Sequence, residues 1–258
     1  MAISNEIDTL ASQYDSDGFC LVRNVFSGSL LTELQNDFER IVDRLISSGE
    51  DVNARWTGVE ADRVGGSNTV VLHTHNVQQY SAAWLRALVD KNFIQATKSL
   101  IGEDIILHHT KLFQKPSELG APFPMHQDWG YFPTLKDTML AAVIHVSDAT
   151  DEMGCLRVYP GSHKLGRLNE AMGGEHLKEY PLESATPVEA RAGDVLFFNY
   201  LTIHGSMPNR SSETRKTVLV QMHSGQDEVE AGNEHPNEHL VLSGWNYGMK
   251  RSMANTNK

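Results

Sequence analysis

A mainly β fold with flanking α-helices is predicted for this 258-residue sequence by three observations. Helix-period apolar spacing is confined to residues before Gly102. Short strand-like runs, broken at close intervals by Gly, Pro, Asn and Asp, follow it. Neither an internal repeat nor a low-complexity linker separates the two textures. Many short strands with frequent turns build antiparallel sandwiches or barrels. One domain over 1–258 is the simplest organisation, with a helical part over about 1–102, a β core over about 103–225 and a C-terminal tail. With 40% hydrophobic residues, the chain is long enough to bury a real core.

In chain order, SDGFCLVRNVF alternates as a strand does. SGSLLTELQNDFERIVDRLISSG then carries Leu30, Leu31, Leu34, Phe38, Ile41, Val42 and Leu45 at helical spacing, with a serine ahead of the run and Gly49 behind it. Residues 51–77 are mixed, with adjacent Gly65 and Gly66, and predict a loop-rich rim. YSAAWLRALVDKNFIQATKSLIG predicts one helix ending near Gly102. Five strand segments follow: DIILHHTKLFQK, TMLAAVIHVSDA, GCLRVYPGSH, TPVEARAGDVLFFN and TRKTVLVQMHS.

The formal net charge of -11 disfavours a nucleic-acid partner or an anionic membrane surface, because long-range repulsion opposes both. No run of about 18 apolar residues is present. The first residues, MAISNEIDTLASQYDSDGF, have neither a basic nor an apolar leader region, so a cytoplasmic protein acting on a small molecule is expected. Cys20 and Cys155 lie far apart and read as buried small hydrophobes. Nothing in the sequence sets the oligomeric state.

The chemistry concentrates in PMHQDWGYFP and NYLTIHGSMPNRSSETR. On a strand, residues i and i+2 share a face, so His126 and Asp128 project together and Gln127 away. His204 follows the strand-like GDVLFFNYLTI, and a neighbouring strand of a rolled sheet brings it up as a third ligand. Two imidazoles and a carboxylate on one side of an octahedron are the arrangement of non-haem Fe(II) oxygenases. A bidentate 2-oxo acid fills two of the open positions, and its far carboxylate suits a planar arginine fork. Arg215 lies across the turn SMPNRSSE, where a hairpin returns it to the metal end, and Ser206 adds a hydroxyl. Spacing alone leaves coincidence open, since the chain has 12 histidines.

Trp129, Tyr131 and Phe132 either wall a substrate pocket or fill the core. His73 and His75 read as a pocket rim or a polar strand edge, and His108 and His109 as packing residues. PGSHKLG, with Pro160, Gly161 and His163, is an architectural turn. Arg55, Arg63 and Lys115 are cations that suit an anionic substrate, with an exposed solvated face as the ordinary alternative.

The stretches DGFCLVRNVFSGSLLTEL, HHTKLFQKP, HQDWGYFP, MGCLRVYPGSHKLG, AGDVLFFN and HGSMPNRSSETR, in this order, resemble the phytanoyl-CoA dioxygenase (PhyH-like) group of Fe(II)- and 2-oxoglutarate-dependent oxygenases over nearly the whole chain. The resemblance implies a double-stranded β-helix, the cupin-like jelly roll. It also implies Fe(II) held by His126, Asp128 and His204, Arg215 and Ser206 on the far carboxylate of 2-oxoglutarate, and Gln127 and Lys111 lining the cosubstrate or substrate pocket. O2 is the third reactant. Val143 stands where some relatives have tryptophan. The retained Asp128 favours hydroxylation or another oxidation of a C–H bond over halogenation, with succinate and CO2 released. A CoA thioester is not favoured over a smaller metabolite. A cupin-like hydrolase or isomerase without 2-oxoglutarate, and a non-catalytic ligand-binding jelly roll, are the alternatives. Neither has a use for Arg215 and Ser206 together.

Overall fold

The computed structural model describes residues 2–48, 73–117, 122–169, 175–233 and 240–249. Arg55, Arg63, Gly49, Gly65, Gly66 and most of the expected rim lie outside them. Eleven strands among these residues form two antiparallel sheets. The major sheet runs in the order β1 (Phe19–Val22), β8 (Val195–Asn199), β5 (Leu140–His145), β10 (Arg215–Ser224), β3 (Ile105–Lys115) and β11 (Leu240–Ser243), with β2 (His73–His75) also paired to β3. The minor sheet runs β4 (Phe123–His126), β9 (His204–Ser206), β6 (Leu156–Val158) and β7 (Thr186–Val188). The fold is a cupin-like jelly roll.

The major sheet is covered on both faces, which is why its strands read as nearly continuous apolar runs. On β5, Leu140, Ala142 and Ile144 face one way, against α2 (Gly28–Ser48), α3 (Ala82–Leu88) and α4 (Lys91–Ile101). There they meet Phe38, Ile41, Trp84 and Phe93. Ala141 and Val143 face the other way, with Leu196, Phe198 and Leu219, toward Val158 of the minor sheet. Val143 is half-buried between its cross-strand neighbours Leu219 and Leu196.

Four expectations change. An unforeseen helix, α1 (Ala2–Asp17), precedes β1 and closes with buried Tyr14. The single helix expected to end near Gly102 is two: Asp90 accepts from the backbone N–H groups of Asn92 and Phe93 and so caps the start of α4, while Ser81 caps α3. The helical part over 1–102 contributes β1 and β2 to the major sheet, and β11 joins it from beyond residue 225. Finally, β9 and β10 are not a hairpin, since they belong to different sheets.

At the β1 end, the buried Asp194 carboxylate accepts from the backbone N–H of Asn24 and of Arg191 and from Arg23 Nη1. Asn24 occupies a left-handed turn (φ 53°). Burial raises the Asp194 carboxyl pKa, but those donors outweigh it and hold it below the usual carboxylate range. A depressed folded pKa gives stability that is present in full above the unfolded value of about 3.9 and is lost as pH falls through the folded one. Asp194→Asn is therefore expected to lower the thermal midpoint near neutral pH and to flatten the acid decline below about pH 4. Thermal melts of both proteins across that range check it.

Candidate metal and cosubstrate site

The two sheets meet at a cluster that the fold brings together from distant sequence. His126 ends β4 and lies directly opposite His204, the first residue of β9. Asp128 is not on the strand, as i and i+2 spacing predicts, but opens a 3-10 turn at Asp128–Gly130 whose first N–H groups bond to the Tyr200 carbonyl. The turn still aims the carboxylate at both imidazoles, with Asp128 Oδ1 3.3 Å from His126 Nε2 and 3.5 Å from His204 Nε2. One donor atom from each of the three lies within 4.8 Å of the others, and all three residues are buried.

Each imidazole is oriented from behind. His126 Nδ1 lies 2.9 Å from the Pro124 carbonyl and His204 Nδ1 2.9 Å from that of Thr202. A carbonyl can only accept, so Nδ1 carries the proton and Nε2 presents its lone pair inward. Burial, then His126, pushes His204 down to about 4, which keeps that ring neutral. Burial raises the Asp128 carboxyl pKa, but His204, His126 and Gln221 more than offset it and keep it ionised. Neutral imidazole and ionised carboxylate are the forms that bind a metal, so the residues present fit a divalent iron.

Gln221 is the residue that sequence reasoning missed. Its Nε2 donates to Asp128 Oδ2 at 2.8 Å and so leaves Oδ1 toward the histidines. The signal was there: Gln221 is six residues beyond Arg215 on one strand and so shares its face. Partners that orient metal ligands typically contribute about 10–100-fold in affinity. Gln221→Leu is expected to weaken Fe(II) binding by roughly that factor while the fold persists, as metal titration alongside circular dichroism will read.

Arg215 begins β10 opposite Lys115, which bonds to Ser206 two residues beyond His204, and donates through Nη1 to the Gly154 carbonyl. Gly154 has φ 67°, and a Cβ there would meet the Met207 carbonyl oxygen at 2.3 Å, so glycine is required to present that acceptor. Arg215 Nε is buried and has no hydrogen-bond partner in the protein. Burial pushes the guanidinium down to about 10, still cationic at neutral pH. Such a group fits an incoming carboxylate.

A family model described as Phytanoyl-CoA dioxygenase (PhyH) matches residues 14–217. The chain belongs to the phytanoyl-CoA dioxygenase family. It is an Fe(II)- and 2-oxoglutarate-dependent non-haem iron dioxygenase. The PhyH-family chain is 25% identical over 224 residues to the probable alpha-ketoglutarate-dependent hypophosphite dioxygenase of Stutzerimonas stutzeri, covering 81% of this chain and 75% of that one. It is 28% identical over 221 residues to the peroxisomal phytanoyl-CoA dioxygenase of Bos taurus, covering 80% of this chain and 65% of the relative, just under two thirds of its length. In fold it is similar to the non-haem alpha-ketoglutarate-dependent epimerase of nogalamycin biosynthesis, with TM-score 0.72 at 21% identity over 93% of this chain and all of that one.

The remaining expected residues of this PhyH-family chain divide. Lys111 lies on the β3 face opposite to buried Leu112, close enough to Asp128 to feel its charge, and burial pushes it down to about 8. Phe132 packs against His108 and His109, with centroids 5.4 and 5.3 Å away, and the half-exposed Tyr131 ring stands 6.1 Å from His126. His73 is paired with Phe113 in the β2–β3 register, its ring 6.0 Å from the Phe113 ring.

Gln127 departs from expectation. Its Nε2 donates to the Gly166 and Leu201 carbonyls, and its Oε1 accepts from Trp129 Nε1 and the Leu168 N–H, so its polar atoms are consumed in fixing loops. Trp129 follows it, packing with Met139, Tyr200 and Leu201 beneath Arg167. Lys115 is buried rather than solvated. The PGSHKLG turn is architectural: Ser162 Oγ accepts from the Ile203 N–H, immediately before His204.

Proposed function

We propose that this dioxygenase holds Fe(II) through His126, Asp128 and His204, binds the far carboxylate of 2-oxoglutarate through Arg215 and Ser206, and oxidises an unactivated C–H bond of a small-molecule metabolite, most simply by hydroxylation. The observation that carries the reading is the pairing of two inward Nε2 lone pairs and one carboxylate with a buried guanidinium whose Nε lacks a partner. When bound, iron with O2 and 2-oxoglutarate supplies the oxidant for C–H cleavage as the 2-oxo acid is split to succinate and CO2.

The protein's own residues do the aiming. The Pro124 and Thr202 carbonyls fix the ring tautomers, and Gln221 fixes the carboxylate rotamer. Lys111 offers a cation close to Asp128, and the Tyr131 ring beside His126 supports a substrate role for it, with Phe132 and His73 assigned to the same side as part of the proposal. Of the three cations singled out for an anionic substrate, Lys115 turns inward, which supports a small metabolite over a CoA thioester. Two buried cysteines without a disulfide suit a reducing compartment such as the cytoplasm. None of the helices among the described residues is long and apolar enough to cross a membrane.

The test is succinate formation from 2-oxoglutarate by the Fe(II)-loaded protein across a panel of small metabolites. Stimulation by one compound, with its oxidised product recovered in equal amount, supports the proposal and names the substrate. A protein that takes up iron and neither binds nor decarboxylates 2-oxoglutarate overturns it.

A further inference from the structure

Lys115 closes β3 directly opposite Arg215 on β10. Its Nζ donates to Ser206 Oγ at 2.6 Å and to the Met207 carbonyl at 2.6 Å, while its own carbonyl accepts from Asn209 Nδ2 at 2.8 Å. Once protonated, the Lys115 amine has donors only, so in that form Ser206 Oγ accepts and its own proton is left to donate elsewhere. The unpartnered Arg215 Nε is buried at the cross-strand neighbour. Among the described residues no carboxylate pairs with either cation, and two buried like charges side by side are unfavourable until an anion joins them.

We propose that Lys115 is a positioning residue for the far carboxylate of 2-oxoglutarate: by donating to Ser206 Oγ it turns the serine hydroxyl proton onto that carboxylate, and it supplies the second positive charge of the pocket. The proposal rests on Arg215 and Ser206 receiving that carboxylate. The 2-oxo acids it favours carry a second carboxylate at the end remote from the chelating one. Monocarboxylic 2-oxo acids gain nothing from it.

The surroundings leave Lys115 responsive to an anion. Arg215 faces it from β10, the Cys155 thiol from the segment entering β6, and the Ser206 hydroxyl and Met207 carbonyl from β9 and just beyond, with His145 of β5 beside Arg215. Burial raises Cys155 to about 11 and lowers His145 to about 4, so both are neutral near neutral pH. Lys115 itself is pushed down to about 6, by burial first and Arg215 second. An arriving carboxylate raises it again, so binding takes up a proton and 2-oxoglutarate affinity declines as pH rises above about 6.

The test compares anaerobic calorimetric binding of 2-oxoglutarate and 2-oxobutyrate to the Fe(II)-loaded protein; 2-oxobutyrate keeps the chelating end and lacks the far carboxylate. Lys115→Met is expected to weaken 2-oxoglutarate by roughly tenfold or more and leave 2-oxobutyrate unchanged, with Lys115→Arg recovering most of the loss. In a Ser206→Ala background the Lys115→Met effect shrinks, because the two act as one unit. On the wild type, buffers of different ionisation enthalpy should reveal proton uptake with 2-oxoglutarate and none with 2-oxobutyrate, a readout independent of any variant's folding. Equal weakening of both acids, full additivity with Ser206→Ala, or binding without proton uptake overturns the role of Lys115. A wild type that binds neither acid overturns the underlying oxygenase reading, and the proposal with it.

Discussion

His126→Ala is expected to abolish 2-oxoglutarate turnover, by about a thousandfold or more, while leaving the metal-free fold close to native. The magnitude follows from the metal's share of the chemistry: a bound ion supplies several kcal/mol of stabilisation, and each 1.4 kcal/mol is a factor of ten in rate. The persistence of the fold follows from what the side chain touches. His126 meets the Pro124 carbonyl through Nδ1 and Asp128 through Nε2, and its ring packs on His204 and Phe123, so truncation removes few contacts from the metal-free protein. Succinate release, iron content and a thermal melt measured on the same preparation check this. Substantial turnover by His126→Ala would show that the metal, if needed, is held elsewhere.

Arg215→Leu is expected to raise the 2-oxoglutarate requirement by roughly a hundredfold without lowering the thermal midpoint of the metal-free protein. Removing a buried, hydrogen-bonded charge from a ligand's partner set costs about 2–5 kcal/mol in affinity, so a hundredfold loss is at the modest end. A buried side chain in an ion pair destabilises the fold when it is cut, because its partner is stranded. Arg215 has no such partner among the described residues: its one protein acceptor is the neutral Gly154 carbonyl. A leucine in its place also relieves Lys115, whose downward pKa shift owes part of its size to Arg215. Titrating turnover against 2-oxoglutarate, beside a melt without ligand, separates the two effects. A large fall in the midpoint would make Arg215 a structural residue instead.

The parts of the fold that local pattern controls were legible. The helical spacing of Leu34, Phe38, Ile41 and Leu45 gives α2 directly, and all four are buried. The long apolar runs of β3 and β10 are equally plain. What escaped was set by tertiary context. In the short β9, His204 to Ser206, pairing with β4 and β6 decides the conformation rather than any periodicity of its own. The Asp90 cap interrupts an otherwise continuous helical pattern with one carboxylate.

The candidate site divides along the same line. His126, Asp128 and His204 were found from residue type and spacing, and the structure gathers them, although Asp128 arrives by a turn rather than a strand. The family resemblance implied a pocket-lining role for Gln127, yet its side chain goes to the Gly166 and Leu201 carbonyls, partners 39 and 74 residues away in sequence. Gln221 and Lys115 were undervalued because their partners, Asp128 and Ser206, are 93 and 91 residues away. Only the pairing of β10 with β3 and the stacking of the two sheets bring them within reach.

The division of labour between the sheets has a mechanical meaning. His126 and His204 belong to the minor sheet, whereas Arg215 and Lys115 belong to the major one, and the Lys115 hydrogen bonds to Ser206 and Met207 tie the two layers together at that point. In the proposed binding mode, a 2-oxo diacid held at one end by iron on the minor sheet and at the other by those cations would be a second tie, a rivet through the sandwich. Turnover would then shorten that rivet by one carbon, so that the reaction would loosen the joint and favour departure of succinate.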